Sequence, residues 1–159
     1  MNFSVDKTNK KINVEREFVA PLDKVWAAWT QSEILDKWWA PKPWKSETKK
    51  QDFREGGHWL YAMVGPNGEK HWARADYKTI DPLKSYSGLD AFCDENGSIS
   101  KEHPRMHWLV TFNGKSDSTI VNVEISFNEL TDLEKIIEMG FKEGFTMGLE
   151  NLDEWLERN

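Results

Sequence analysis

The 159-residue sequence is poor in the features that announce chemistry or location. It has one cysteine, Cys93. A lone thiol forms no internal disulfide and builds no cysteine-based metal site, which fits a reducing compartment. No run approaches the roughly 18 apolar residues that a membrane span needs. The stretch from Met1 to Phe18 has no apolar segment leading to a small-residue cleavage site, so a secretory leader is not expected and a cytoplasmic location is. Positive charge is the scarcer sign: 21 Lys and Arg against 27 Asp and Glu give a formal charge of −6. Nucleic-acid binders carry a basic stripe. Here the one basic cluster, Lys42, Lys45, Lys49 and Lys50, is interrupted by Glu47 and reads as a solvated edge or loop. The histidines, His58, His71, His103 and His107, form no His-Glu-x-x-His pattern or other compact ligand spacing. Glu55-Gly56-Gly57 lacks the later glycine and Lys-Ser/Thr of a phosphate loop, and reads as a bulge or a close backbone crossing. No metal and no cofactor is therefore expected.

What is present in excess is aromatic: nine tryptophans and eight phenylalanines. Tryptophan is costly to bury completely and wants a partner for its N–H. Such a content suits a large core, an interface or an aromatic-lined cavity. With 38% hydrophobic and 30% charged residues, the chain has the balance of one globular domain, 1–159, with its core over about 12–156.

The pattern along the chain gives the architecture. Lys10 to Val19 alternates as a first strand, with Ile12, Val14, Arg16 and Phe18 on one face. Arg16 is the misfit and belongs near the sheet end, where its head reaches water. Pro21 fits an early helical position, and Val25, Trp26 and Trp29 follow at helical spacing. Ser32 can cap a second short helix through Ile34, Leu35, Trp38 and Trp39, ended by Pro41 and Pro43.

Strand candidates follow at Trp44–Asp52, Gly57–Val64, Lys70–Ile80, Lys84–Phe92 (short, an edge strand), Arg105–Phe112 and Ser118–Phe127. They are separated by turns such as Gly65-Pro66-Asn67-Gly68 and by the polar loop Asp94–Pro104. Thr131, with Glu134 as the reciprocal acid, can cap a long last helix running to about Leu156. The fold class is α+β: a curved antiparallel sheet of about six or seven strands, two short helices after the first strand, and a long C-terminal helix across the sheet.

Gly140, Gly144 and Gly148 recur every four residues in that last helix, and each costs roughly 0.8–1 kcal/mol relative to alanine. Close approach of helix to sheet accounts for them, or else space left for a ligand.

Several motifs together resemble one family. They are Arg16-Glu17-Phe18 before Ala20-Pro21, Val25-Trp26 with Trp29, the Trp38-Trp39 pair, and Arg54-Glu55-Gly56-Gly57 with Trp59. The Gly65-Pro66-Asn67-Gly68 turn and Gly140, Gly144, Phe145, Leu149 and Leu152 complete the set. The sequence resembles the Aha1-like branch of the START-related, Bet v 1-like SRPBCC superfamily, named for an activator of the Hsp90 ATPase. An aromatic tryptophan is often found in this branch where Phe145 sits. The resemblance implies a helix-grip fold with a cavity between the curved sheet and the last helix. The superfamily spans lipid and hormone carriers and polyketide cyclases, so it implies no single activity.

Inward alternation and the helix stripe nominate the cavity lining: Trp59, Tyr61, Trp72, Trp108, Val110, Phe141, Phe145 and Leu149. Trp38 and Trp39 close one end, and Gly144 and Gly148 leave room. Arg74 and Asp76 share a face with Trp72, as a surface pair or as a polar pair in the cavity. The leading function is binding of a small hydrophobic or aromatic ligand. A cyclase- or hydrolase-like enzyme is the alternative, with Asp76, His71 or Glu124 as acid or base. A protein-interaction module related to chaperone regulation is a third. The pattern leaves room for a homodimer or a protein partner.

Overall fold

Alternation of apolar and polar side chains lays down one antiparallel sheet. In the computed structural model, which describes residues 1–159, it has eight strands. These are β1 (Asn2–Asp6), β2 (Lys11–Phe18), β3 (Lys45–Gln51), β4 (His58–Val64), β5 (Lys70–Asp81), β6 (Ser85–Cys93), β7 (Met106–Gly114) and β8 (Thr119–Ser126). Their spatial order is β1-β2-β8-β7-β6-β5-β4-β3. The helices are α1 (Leu22–Thr30), α2 (Ser32–Trp38), α3 (Leu130–Glu138) and α4 (Phe141–Arg158). None is long and apolar enough to cross a membrane.

Five expectations need correction. The sheet has eight strands, because Asn2–Asp6, too short to read by alternation alone, pairs with β2. The strand read as an edge, β6, lies between β5 and β7, and the true edges are β1 and β3. The last helix is two helices. Gly140 takes a left-handed φ of +88°, which ends α3 and starts α4 at an angle to it. Thr131 is not a cap: α3 starts at Leu130 after Glu129, with no side-chain cap. Ser32 likewise does not cap α2 through its hydroxyl; its N–H instead donates to the Gln51 side chain on β3, at 2.9 Å.

Register decides which side chains face the helices. Tyr61 lies opposite Ala73, Ala75 opposite Asp90, Asp90 opposite Met106, and Trp108 opposite Ile125. These residues therefore share the helix-bearing face, since side chains alternate along each strand. At one end of that face a dense core forms from Ile12, Val14, Phe18, Val110, Val121, Val123 and Ile125 under Trp29, Trp38, Leu149 and Leu152. The Trp38 indole finds its partner in the Ala28 carbonyl at 2.9 Å. Arg16, near the end of β2, is ion-paired with Asp153 of α4 rather than reaching out to water. Asn151, buried in α4, donates to the Ala40 carbonyl at 3.0 Å and to that of Trp38 at 3.4 Å. It thereby ties α4 to the end of α2. The double glycine is a close crossing: a Cβ at Gly57 would lie 2.1 Å from the Asp52 carbonyl oxygen.

Candidate functional site

The break at Gly140 lifts the α3–α4 elbow off strands β4 to β7 and leaves a cavity of about 300 Å³ beneath it. Tyr61, Ala73, Met106 and Trp108 form its floor, Phe141 and Phe145 its helical wall, and Trp39 with Pro41 its side. Phe141 and Phe145, one helical turn apart, stack at 5.3 Å between ring centroids. Deeper in, a smaller chamber of about 50 Å³ is enclosed by aromatic rings from Trp29, Trp59, Tyr77 and Tyr86. Trp39, Tyr61, Asp90 and Trp108 border both spaces. Aromatic walls with a few convergent polar groups are the usual make-up of a small-molecule pocket.

The polar groups are held in place. The Trp39 indole donates to the Tyr61 hydroxyl at 2.9 Å, and the Tyr61 ring stacks on Trp59 at 3.9 Å. The Trp59 indole in turn donates to Thr48 at 2.9 Å. Burial pushes the Tyr61 phenol well above its ordinary range, so it is a neutral donor. Asp90 is the one carboxyl in the cavity wall. Its oxygens accept the Met106 N–H at 3.0 Å and the Trp108 indole N–H at 2.9 Å. Burial drives its pKa up to about 7, against the opposing pull of these two hydrogen bonds and of Arg105. No three His, Cys, Asp or Glu side chains converge. The site offers a ligand aromatic faces, a phenol and one carboxyl.

The nominated residues divide into three groups. Trp39, Trp59, Tyr61, Trp108, Phe141, Gly144 and Phe145 border the two spaces. Trp38, Val110 and Leu149 lie in the packed core instead, almost wholly excluded from solvent. Gly148 touches the Trp39 carbonyl: a Cβ there would lie 3.2 Å from its oxygen, whereas a Cβ at Gly144 would meet only Pro41 at 3.8 Å. Gly148 therefore serves close packing, and Gly144 faces the cavity.

Trp72, Arg74 and Asp76 are a correction. They alternate with Ala73 and Ala75 and so occupy the outer face of the sheet. There Asp76 pairs with Arg74 at 2.6 Å and Arg105 at 2.7 Å. Burial raises the Asp76 carboxyl, but the two guanidiniums outweigh it and hold it below the usual carboxylate range. Glu124 is also on the outer face, paired with Lys11. His71 borders the cavity mouth, with its ring 5.3 Å from that of Trp44. The outer face has its own hollow of about 390 Å³ between Asn2, Asn13, Thr111 and Asn122, but its walls are mostly polar.

Sequence reasoning missed Asp90. Its signal was there, since it keeps step with Tyr86, Gly88 and Phe92 along one face of β6, but a strand placed at an edge gives an aspartate no special environment. Met63, Met106, Ile136 and Met139, flexible or aliphatic parts of the lining, were missed for a similar reason: nothing in a period-2 pattern separates a cavity wall from packed core.

An open antiparallel sheet gripping a helical elbow around an apolar cavity is the helix-grip architecture of SRPBCC proteins. Residues 19–157 match the family described as activator of Hsp90 ATPase homolog 1-like protein, and the chain belongs to that family. It is similar to a solution NMR structure of a protein from Arthrobacter aurescens, with 27% identity and a TM-score of 0.93 over 99% of this chain and 92% of that one. It is similar also to a crystal structure of a protein from Mycobacterium smegmatis, with 26% identity and a TM-score of 0.90 over 98% and 96%. A Silicibacter pomeroyi protein bearing the family's name is 17% identical, with a TM-score of 0.72 over 92% and 97%, and at that identity the likeness shows the fold alone. No curated protein matches the chain. Fold and family together support a ligand-binding cavity.

Proposed function

We propose that the protein binds one small hydrophobic or aromatic molecule beneath the α3–α4 elbow. The observation that carries this reading is the cavity of about 300 Å³ with twelve apolar residues among the seventeen around it. That volume sits at the lower end of the range for small-molecule sites, which points to a compact ligand of one or two rings. The phenol of Tyr61 and the carboxyl of Asp90 would orient it.

A neutral fluorophore, phenylnaphthylamine, tests the reading. It is expected to bind with enhanced emission, and Gly144→Leu, whose side chain would enter the cavity beside Pro41, is expected to weaken that binding at least about tenfold while the fold persists. Unchanged binding by a folded Gly144→Leu protein would remove the cavity from the account.

Asp90 favours a second reading, a cyclase- or hydrolase-like enzyme. A carboxyl that titrates near neutrality can take a proton from a bound ligand and return it.

A further inference from the structure

The inner chamber has a surplus of hydrogen-bond donors. Trp29, 2% exposed, has an indole N–H with no partner, the sole buried side-chain polar atom left so. The Tyr61 hydroxyl accepts from Trp39, and the Tyr77 hydroxyl accepts from Gln51 at 3.2 Å, so each keeps its own proton uncommitted. Tyr86 borders the same space, and burial holds its phenol in the protonated form. The one carboxyl facing these donors is Asp90, and each of its oxygens already takes one N–H, from Met106 and from Trp108. Buried donors without acceptors are costly, so a chamber of this kind favours whatever brings an acceptor into it.

The charge of that acceptor also follows. Neither the cavity nor the chamber is bordered by lysine or arginine, and Arg105, the nearest guanidinium to Asp90, is engaged with Asp76 on the outer face. A carboxylate or phosphate would sit beside the Asp90 carboxyl with no cation to offset its desolvation.

We propose that the inner chamber is a subsite for one neutral acceptor oxygen, a ketone, ester or quinone carbonyl, on a ligand whose apolar body fills the outer cavity. The proposal rests on the binding reading above and narrows its ligand class. The carbonyl would receive N–H from Trp29 and O–H from the surrounding tyrosines, and Trp39 and Trp108 would flank the bond between head and body.

Three naphthyl probes of similar size test it, with tryptophan quenching as the readout: methyl naphthyl ketone, isopropenylnaphthalene, which replaces the carbonyl oxygen by a methylene, and naphthylmethyl-trimethylammonium. The ketone is expected to bind about tenfold tighter than the isopropenyl compound. Tyr86→Phe and Trp29→Phe should each shrink that ratio, which is taken within each variant so that an overall loss of affinity cancels. Equal binding of ketone and hydrocarbon overturns the acceptor subsite, with the donors then served by a resident water, while the cavity reading stands. Tightest binding of the ammonium probe overturns it in favour of an aromatic cage for cations around Asp90. Binding of none of the three overturns both readings.

Discussion

Asp90 is the residue on which the chemistry of the site turns. An unfolded aspartate titrates near about 3.9, whereas burial raises folded Asp90 to about 7. Between these values the folded protein holds a proton that the unfolded chain has released. Stability therefore falls as pH rises through the window and levels off above it. The slope from this group approaches about 1.4 kcal/mol per pH unit near pH 5 to 6. The ion-paired Asp76 has the opposite sign, because its pKa is lowered, and loses its contribution only below the window. Asp90→Asn should flatten the decline, as read from urea unfolding at a series of pH values. Equal slopes in both proteins would show that Asp90 is ionised in the folded state throughout.

The same residue marks where sequence reading stops. Tyr61 and Trp108 were legible because each keeps the phase of further apolar side chains, Trp59 and Met63 in β4 and Val110 and Phe112 in β7. Asp90 was not, because an aspartate is uncommon on a buried face and its strand was placed at an edge. Trp72, Arg74 and Asp76 failed through phase: the strand can be read in either of two registers, and a one-residue shift exchanges the faces.

At the scale of elements, the three glycines of the C-terminal segment do three different things. Gly140, at φ +88°, makes the elbow, and Gly140→Ala should cost about 1 kcal/mol through the left-handed backbone alone. Gly144 faces open space beside Pro41, so Gly144→Ala should stabilise α4 by up to about 1 kcal/mol. Gly148→Ala should not, because its Cβ would press on the Trp39 carbonyl, next to the carbonyls of Trp38 and Ala40 that Asn151 holds. Chemical denaturation of the three variants gives the comparison directly, and equal stabilisation at 144 and 148 would contradict the packing role of Gly148. The four-residue spacing read all three glycines as one helical stripe, but only Gly144 and Gly148 lie within a helix. The spacing carried no information on the break, since glycine is tolerated inside helices and only the backbone geometry tells an interior glycine from a terminal one.

For the whole molecule, the consequence is a division of labour across the sheet. The end covered by α1, α2 and the later part of α4 is filled with tryptophan and aliphatic core. The end beneath the elbow, where the β4–β7 floor carries Ala73, Met106 and Tyr61, keeps its space. Helix-grip architecture was legible from the order of elements and from the family motifs. Which part of the aromatic interior is open was not, because openness depends on the angle between α3 and α4 rather than on periodicity. The tryptophans make that division measurable. In a titration of methyl naphthyl ketone followed by NMR of the indole N–H signals, Trp39 and Trp108 at the cavity should shift, and Trp72 on the outer face should stay still. Shifts at Trp72 with Trp39 and Trp108 unmoved would contradict a binding cavity beneath the elbow.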